Sequence, residues 1–271
     1  MSYDFLYHLY PLLLITIVVE VILIQFNHNF NFSWQESFAS LGVAIGHRIT
    51  NTVFAVIPLG VYSYVWEHRL WTISLDHLWT IFFLFVGVEF FYYWYHRFAH
   101  EIRWLWATHA VHHSANYFNL SASFRLGWTA WLSGNYLFFL PLCWLGFAPS
   151  AIVLTLAVNL LYQFWIHTEL IPKLGWFEWV FNTPSHHRVH HASNPEYIDR
   201  NYGGILIIFD RLFGTFATEN SNFPLVYGLT HPFQSYNPLK IAFHEWNQLF
   251  QELKNTKTWS DRCLIVIGRP K

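Results

Sequence analysis

Five apolar runs dominate the first two thirds of the chain: Phe5–Phe26, Phe38 to about Trp66, Leu78–Tyr95, Trp128–Phe147 and Ser150–His167. A bilayer core takes about 20 helical residues, so the runs predict four to five transmembrane helices. The first lacks a basic leader and a small-residue cleavage site and continues through Glu20 into Asn27-His28-Asn29, which predicts a retained anchor rather than a signal peptide. The second carries His47 and Arg48, expensive in lipid, so it should face the protein interior or lie near one membrane surface. Between the third and fourth runs lies a polar, histidine-bearing stretch from Arg97 to Leu126, and Gly146 and Pro149 mark the turn between the fourth and fifth. From Pro172 onward Pro and Gly residues break the chain into short pieces, as expected of a cytosolic cap. The polar stretch Asn247–Asp261 predicts a surface helix.

The fold class expected is therefore an all-α integral membrane protein whose cytosolic cap is rich in histidine and holds two metals. It should form one membrane-embedded domain over 1–271: N-terminal membrane helices (1–95), a first polar histidine region (96–127), a membrane hairpin (128–168), and a final histidine region with the cap (169–271).

Composition sharpens this. Hydrophobic residues make up 54% and charged residues 11% of the chain, which is abnormal for a soluble protein. A net charge of -1 and the lack of a Gly-rich phosphate loop argue against a nucleic-acid partner. Cys143 and Cys263 show no pairing pattern and read as free thiols. Of the 15 Lys and Arg residues, all but Arg48 and Arg69 fall from Arg97 onward, so the positive-inside rule puts the histidine face in the cytoplasm. The loop from Asn27 to Gln35, which should share that face, has none.

Histidines supply the chemistry. His96/His100, His109/His112/His113 and His187/His190/His191 are written HxxxH, HxxHH and HxxHH. Residues three or four apart are neighbours on a helix face, so each cluster suits ligands to a shared metal, and together they predict a two-metal site. With imidazole donors and no cysteine, iron or zinc remains. Isolated histidines (His8, His28, His47, His68, His77, His231 and His244) read as satisfied core residues. His186, beside His187, is either a further ligand or a hydrogen-bonding neighbour.

The segments Tyr95-His96-Arg97-Phe98-Ala99-His100-Glu101, His109-Ala110-Val111-His112-His113-Ser114 and Asn182-Thr183-Pro184-Ser185-His186-His187-Arg188-Val189-His190-His191 resemble the fatty acid hydroxylase (sterol desaturase) superfamily. Leu161–Glu169, Asn201–Gly204 and Tyr227–Pro232 most resemble its alkylglycerol branch. The resemblance runs from about Phe90 to His244; the chain ends soon after its third box, where longer relatives of that branch continue.

This resemblance implies an integral membrane oxygenase with two non-haem iron ions bound by the eight clustered histidines and His167. The branch also implies a role for the acid after the first box, Glu101. The partners implied are a lipid substrate, O2 and a separate electron donor, either a redox protein or, by resemblance, tetrahydrobiopterin. The outcome is an alcohol, or an alkene if a second hydrogen is taken.

A ligating histidine usually donates its other N–H to an acid or carbonyl; among the acids available, Glu101 ranks first and Asp199 second, ahead of Glu89 and Glu169. Arg125, Lys173 and Arg188 read either as holders of a lipid phosphate or as positive-inside bias. A zinc hydrolase is the rival from another class, but HExxH is absent because Trp104 stands where its second histidine should be. A metal carrier would instead spread its ligands through the bilayer midplane.

Overall fold

A computed structural model describes residues 4–26, 31–220 and 222–270. The expectations for His28 and for the start of the Asn27–Gln35 loop fall outside these residues, as does the side chain of His8. Among the described residues the chain is helical, with no strand beyond two isolated bridges, Phe181–Leu206 and Ala192–Tyr227.

The apolar runs give α1 (Asp4–Phe26), α2 (Trp34–Val53), α3 (Val56–Glu67) and α4 (Leu78–Glu101). At 1.5 Å per residue, α4 is roughly 36 Å long, enough to cross a bilayer, and its composition is apolar enough to do so. The pair α2 and α3 meets that standard jointly, although the two are bent by 48° at Phe54-Ala55. Ser33 caps α2 by accepting a hydrogen bond from Glu36 N.

After α4, Ile102 is extended and the chain turns directly into α5 (Arg103–His113). A single 3-10 turn follows at Leu120–Phe124. The fourth apolar run is not one helix. It breaks into α6 (Ala130–Ser133), a 3-10 turn at Asn135–Phe139 and α7 (Leu140–Leu145), because Gly134 takes the left-handed conformation at φ 82° that ends the first piece. The fifth run forms α8 (Pro149–Trp165), 17 residues long with proline at its start. By length and composition, one helix or at most two spans meet the standard for crossing a membrane among the described residues.

The cap contributes α9 (Pro184–His191), α10 (Ile208–Phe213), α11 (Pro238–Asn255) and α12 (Trp259–Ile267). Threonine at the N-cap and proline at the first position fix the start of α9. The expected surface helix begins earlier than its polar stretch. Ile241, Ala242, Trp246 and Leu249 of α11 are buried, and α11 packs on α5.

The largest core cluster joins α3, α4, α7 and α8 through Tyr62, Leu84, Val88, Leu142 and Ile152. A second binds α4 to the 202–209 segment through Tyr93, Tyr202, Ile205, Leu206 and Phe209. Outside these cores the helices leave broad apolar faces bare, among them Ile15, Val18 and Ile22 on α1, Ile45 and Ile49 on α2, and Phe82 and Phe83 on α4. Surfaces of this kind seek a partner or a bilayer.

Candidate metal centre

The end of α4, α5, the residues just after α8, and α9 converge on one buried point, and nine imidazoles meet there. They divide into two groups: His96, His100, His109, His113 and His190, and His112, His167, His187 and His191, with the ligating atoms of each group all within 4.8 Å of one another. The division cuts across the sequence clusters. Pairs four apart (His96/His100, His109/His113 and His187/His191) stay together, whereas the residue three along, His112 or His190, falls to the other group. Within the groups, Nε2 atoms approach at 3.0 Å (His96–His109), 3.2 Å (His109–His113), 3.0 Å (His167–His187) and 3.1 Å (His187–His191).

Backbone carbonyls set the protonation pattern. His96 Nδ1 faces Tyr202 O at 2.7 Å, His190 Nδ1 faces Arg200 O at 2.9 Å, His112 Nδ1 faces Arg125 O at 3.2 Å and His167 Nδ1 faces Gln163 O at 2.6 Å. A carbonyl only accepts, so each Nδ1 carries the hydrogen and each Nε2 presents a lone pair. Burial holds the imidazoles neutral: it lowers His112 to about 4 and His190 to about 3, and keeps His187 and His191 well below their usual value. His112 Nε2 and His167 Nε2 nevertheless face each other at 3.2 Å. Two lone pairs at that separation repel unless a cation lies between them. With imidazole–metal bonds of about 2.1 Å, ligands at right angles sit about 3 Å apart, which is the spacing found. His100 Nε2 and His190 Nε2 are buried with no hydrogen-bond partner, as atoms directed at a metal would be. The donor set therefore fits two metal ions.

One short segment supports the first group. Asp199 and Asn201 both adopt the left-handed conformation, at φ 61° and 56°, at a cost on the order of 1–3 kcal/mol each that Asn and Asp bear best. This turn aims Arg200 O at His190 and Tyr202 O at His96, and it leaves Asp199 Oδ1 3.8 Å from His100 Nδ1. Asn201 locks it by donating to His186 O and Ala217 O and accepting from Ala217 N. Asp210 accepts from Tyr202 N, Gly203 N and the Thr215 hydroxyl. Glu89 accepts from Ile205 N and Leu206 N at 2.8 and 2.9 Å and from Asn159 Nδ2. Just beyond the turn, a Cβ on Gly204 would lie 2.1 Å from Asn159 Nδ2, so a side chain there would push Asn159 off Glu89.

Among the sequence candidates, Asp199 is the acid beside a clustered histidine. Glu101 instead accepts from Arg97 Nε at 3.2 Å and lies 3.5 Å from Arg269, and Glu169 accepts from the Tyr227 hydroxyl. His186 points away from both groups, 3.9 Å from Glu178 Oε2 and against Phe216. Arg125 is buried and bonded to Glu36, Ser40 and Ser114. Arg188 grips Glu219 and the Thr168 and Ile171 carbonyls, and Lys173 donates to Glu219 O. Internal partners thus account for the cations read as phosphate holders. The carbonyl acceptors and Asp210 escape sequence reading, because a backbone oxygen has no residue-type signature; Gly203-Gly204 beside two residues tolerant of positive φ is the trace they leave.

A cavity of about 500 Å³ reaches the centre, sharing His109, His112 and His167 with it; Phe54, Leu59, Phe139, Leu156 and Leu160 contribute apolar walls. Its size lies within the range of ligand pockets.

Comparison with known proteins agrees with this geometry. The fatty acid hydroxylase family model matches residues 81–215. The chain is 45% identical over 240 residues to an alkylglycerol monooxygenase of Homo sapiens, covering 87% of this chain and 52% of that protein. It is 42% identical over 232 residues to the alkylglycerol monooxygenase of Danio rerio, covering 85% and 51%. To an ornithine lipid hydroxylase of Rhizobium tropici it is 31% identical over 179 residues, covering 65% and 52%. The chain spans about half the length of these curated relatives. No solved structure matches it. The matched region contains all nine grouped histidines, and the chain belongs to the fatty acid hydroxylase family.

Proposed function

We propose that the chain is a membrane-embedded di-iron monooxygenase that hydroxylates an unactivated C–H bond of a lipid with O2. One iron is held by His96, His100, His109, His113 and His190, the other by His112, His167, His187 and His191. The observation that carries this reading is the 3.2 Å approach of His112 Nε2 to His167 Nε2 while both Nδ1 atoms face carbonyls. Five imidazoles in one group exceed the four positions of tetrahedral zinc, which favours iron.

Bound iron supplies the oxygen activation; the chain's residues position and shield it. Carbonyls of Tyr202, Arg200, Arg125 and Gln163 orient four rings and fix their tautomers. Asp199 stands 3.8 Å from His100 Nδ1 on the same turn, where a carboxylate partner of that ring would lie. The apolar cavity receives a hydrocarbon chain beside His109, His112 and His167 and keeps bulk water from it. From the relatives' names only the shared class, a lipid, carries over. Reducing equivalents come from a separate donor, a redox protein or tetrahydrobiopterin.

The same reading makes 1–271 one membrane-embedded domain. Its four to five spans are drawn from α1, the bent α2–α3 pair, α4, the broken α6–α7 segment and α8, with the bare apolar faces toward lipid. The excess of Lys and Arg beyond residue 96 favours a cytoplasmic metal face.

The test is turnover of a lipid mixture by protein in nanodiscs with a reductant and 18O2. A hydroxylated lipid carrying one 18O atom is expected. An alkene product without label would make the enzyme a desaturase, and oxygen-independent turnover would point to hydrolysis.

A further inference from the structure

A separate cluster lies in the cap, where the segment before α11 folds onto that helix. His231 Nε2 stands 3.3 Å and His244 Nε2 3.7 Å from Glu245 Oε1, and the three ligating atoms all lie within 4.8 Å of one another. None of the three lines the apolar cavity. The Glu245 side chain is fully buried, yet neither of its oxygens receives an aligned hydrogen bond, and His244 Nε2 is likewise buried without a partner.

The ring of His244 is fixed. Its Nδ1 faces Ile241 O at 2.8 Å, and Phe233 stacks on it with centroids 4.1 Å apart. Nδ1 therefore carries the hydrogen, and the Nε2 lone pair points toward a carboxylate oxygen, which is also only an acceptor. A buried acceptor pair needs something positive between its members. Arg103 does not fill that place: its Nη2 approaches the other oxygen, Oε2, at 3.3 Å, the Trp106 side chain also steadies the carboxylate, and Oε1 faces both imidazoles.

We infer that His231, His244 and Glu245 form a further metal site, distinct from the nine-histidine centre, that binds one zinc ion with a water in the remaining position. Two imidazoles and a carboxylate are an established zinc donor set. Bond lengths of 2.0–2.2 Å in a tetrahedron put ligand atoms roughly 3.3 to 3.5 Å apart, close to the distances seen. The ion would pin the Tyr227–Asn237 segment to α11, which packs on the α5 helix that carries His109, His112 and His113. Tyr227 in that segment stacks on Phe118, which in turn stacks on His167.

The test is independent of what the nine histidines hold. Iron-loaded protein in detergent is equilibrated with Zn2+, freed of excess ion, and assayed for zinc and iron per chain beside His231→Ala and His244→Ala. His231 is one-third exposed, so its truncation opens no core cavity, and an unchanged size-exclusion profile with unchanged helical circular dichroism shows that the variant is folded. The expected result is one zinc fewer in each variant with iron unaltered. Equal zinc in wild type and His231→Ala would overturn the site and leave a direct His231–Glu245 contact as the explanation. Co2+ gives a second readout: visible absorption of a low-symmetry cobalt centre should appear in the wild type and be lost in His231→Ala.

Discussion

His112 Nε2 and His167 Nε2 lie 3.2 Å apart although each ring already directs its Nδ1 hydrogen to a backbone carbonyl, Arg125 O for one and Gln163 O for the other. One ring comes from α5 and the other from just beyond α8, 55 residues away. The fold thus drives two lone pairs together, and the cation proposed between them would make the arrangement favourable.

Removing either ring should empty one group and spare the other. His167→Ala should lower iron from about two to about one per chain, because five imidazoles remain in the group that lacks His167. Metal analysis of purified His167→Ala checks this; retention of both irons would remove His167 from the ligand set.

The turn at Asp199–Asn201 combines backbone strain with ligand support. Asn201→Ala removes three hydrogen bonds from the Asn201 side chain and keeps a positive φ, so a loss of about 2–4 kcal/mol in stability is expected. Iron affinity should also fall by about 10–100-fold as Arg200 O and Tyr202 O shift from His190 and His96. Asn201→Gly relieves the strain but not the lost bonds and should fall between. Denaturant unfolding and iron-chelator competition across the three proteins read both effects.

Gly204 leaves no room for a side chain unless Asn159 shifts. Asn159 is fully buried and would have to move off Glu89 to admit a Cβ, so Gly204→Ala should cost about 1–3 kcal/mol. Adding Asn159→Ala should recover part of that loss, which a double-mutant cycle measures. Strict additivity would show that the clash does not run through Asn159.

Arg125 and Glu36 form a buried pair, with side chains 1% and 3% exposed. Glu36→Ala leaves the guanidinium uncompensated and should destabilise the protein by about 3–5 kcal/mol, whereas Glu36→Leu with Arg125→Met should regain most of it. Because Arg125 O orients His112, the single variant should weaken iron retention as well. Thermal unfolding with parallel metal analysis distinguishes a structural pair from a lipid-phosphate site, since phosphate headgroups should not rescue Glu36→Ala.

The cavity is separable from the metals. Leu156→Trp adds bulk to its apolar wall and should cut kcat/KM for a long-chain lipid at least about tenfold while leaving iron content unchanged. Normal turnover would move the substrate path elsewhere.

The gathering of the nine histidines is legible in the sequence and their division into two groups is not, for a physical reason. Spacing of four along a helix keeps His96 with His100 and His187 with His191, a property of local geometry. Which group receives His112 or His190 depends on how α5 and α9 face each other, a tertiary relationship that no periodicity encodes. Trp128–Phe147 reads as one apolar run, but the left-handed Gly134 breaks it. Among the acids, the sequence ranks Glu101 above Asp199 because Glu101 directly follows His100. Only the fold shows Asp199 beside His100 and Glu101 turned to Arg97 and Arg269. His231 and His244 carry no cluster spacing, and a loop closing onto α11 brings them together.

Iron content with Mössbauer spectroscopy of iron-57-loaded protein counts the metals directly. About two irons per chain are expected in two inequivalent environments, one with five imidazoles and one with four, with loss of one signal in His167→Ala. A single iron, or zinc alone after anaerobic iron-supplemented expression, would contradict the proposed two-iron centre.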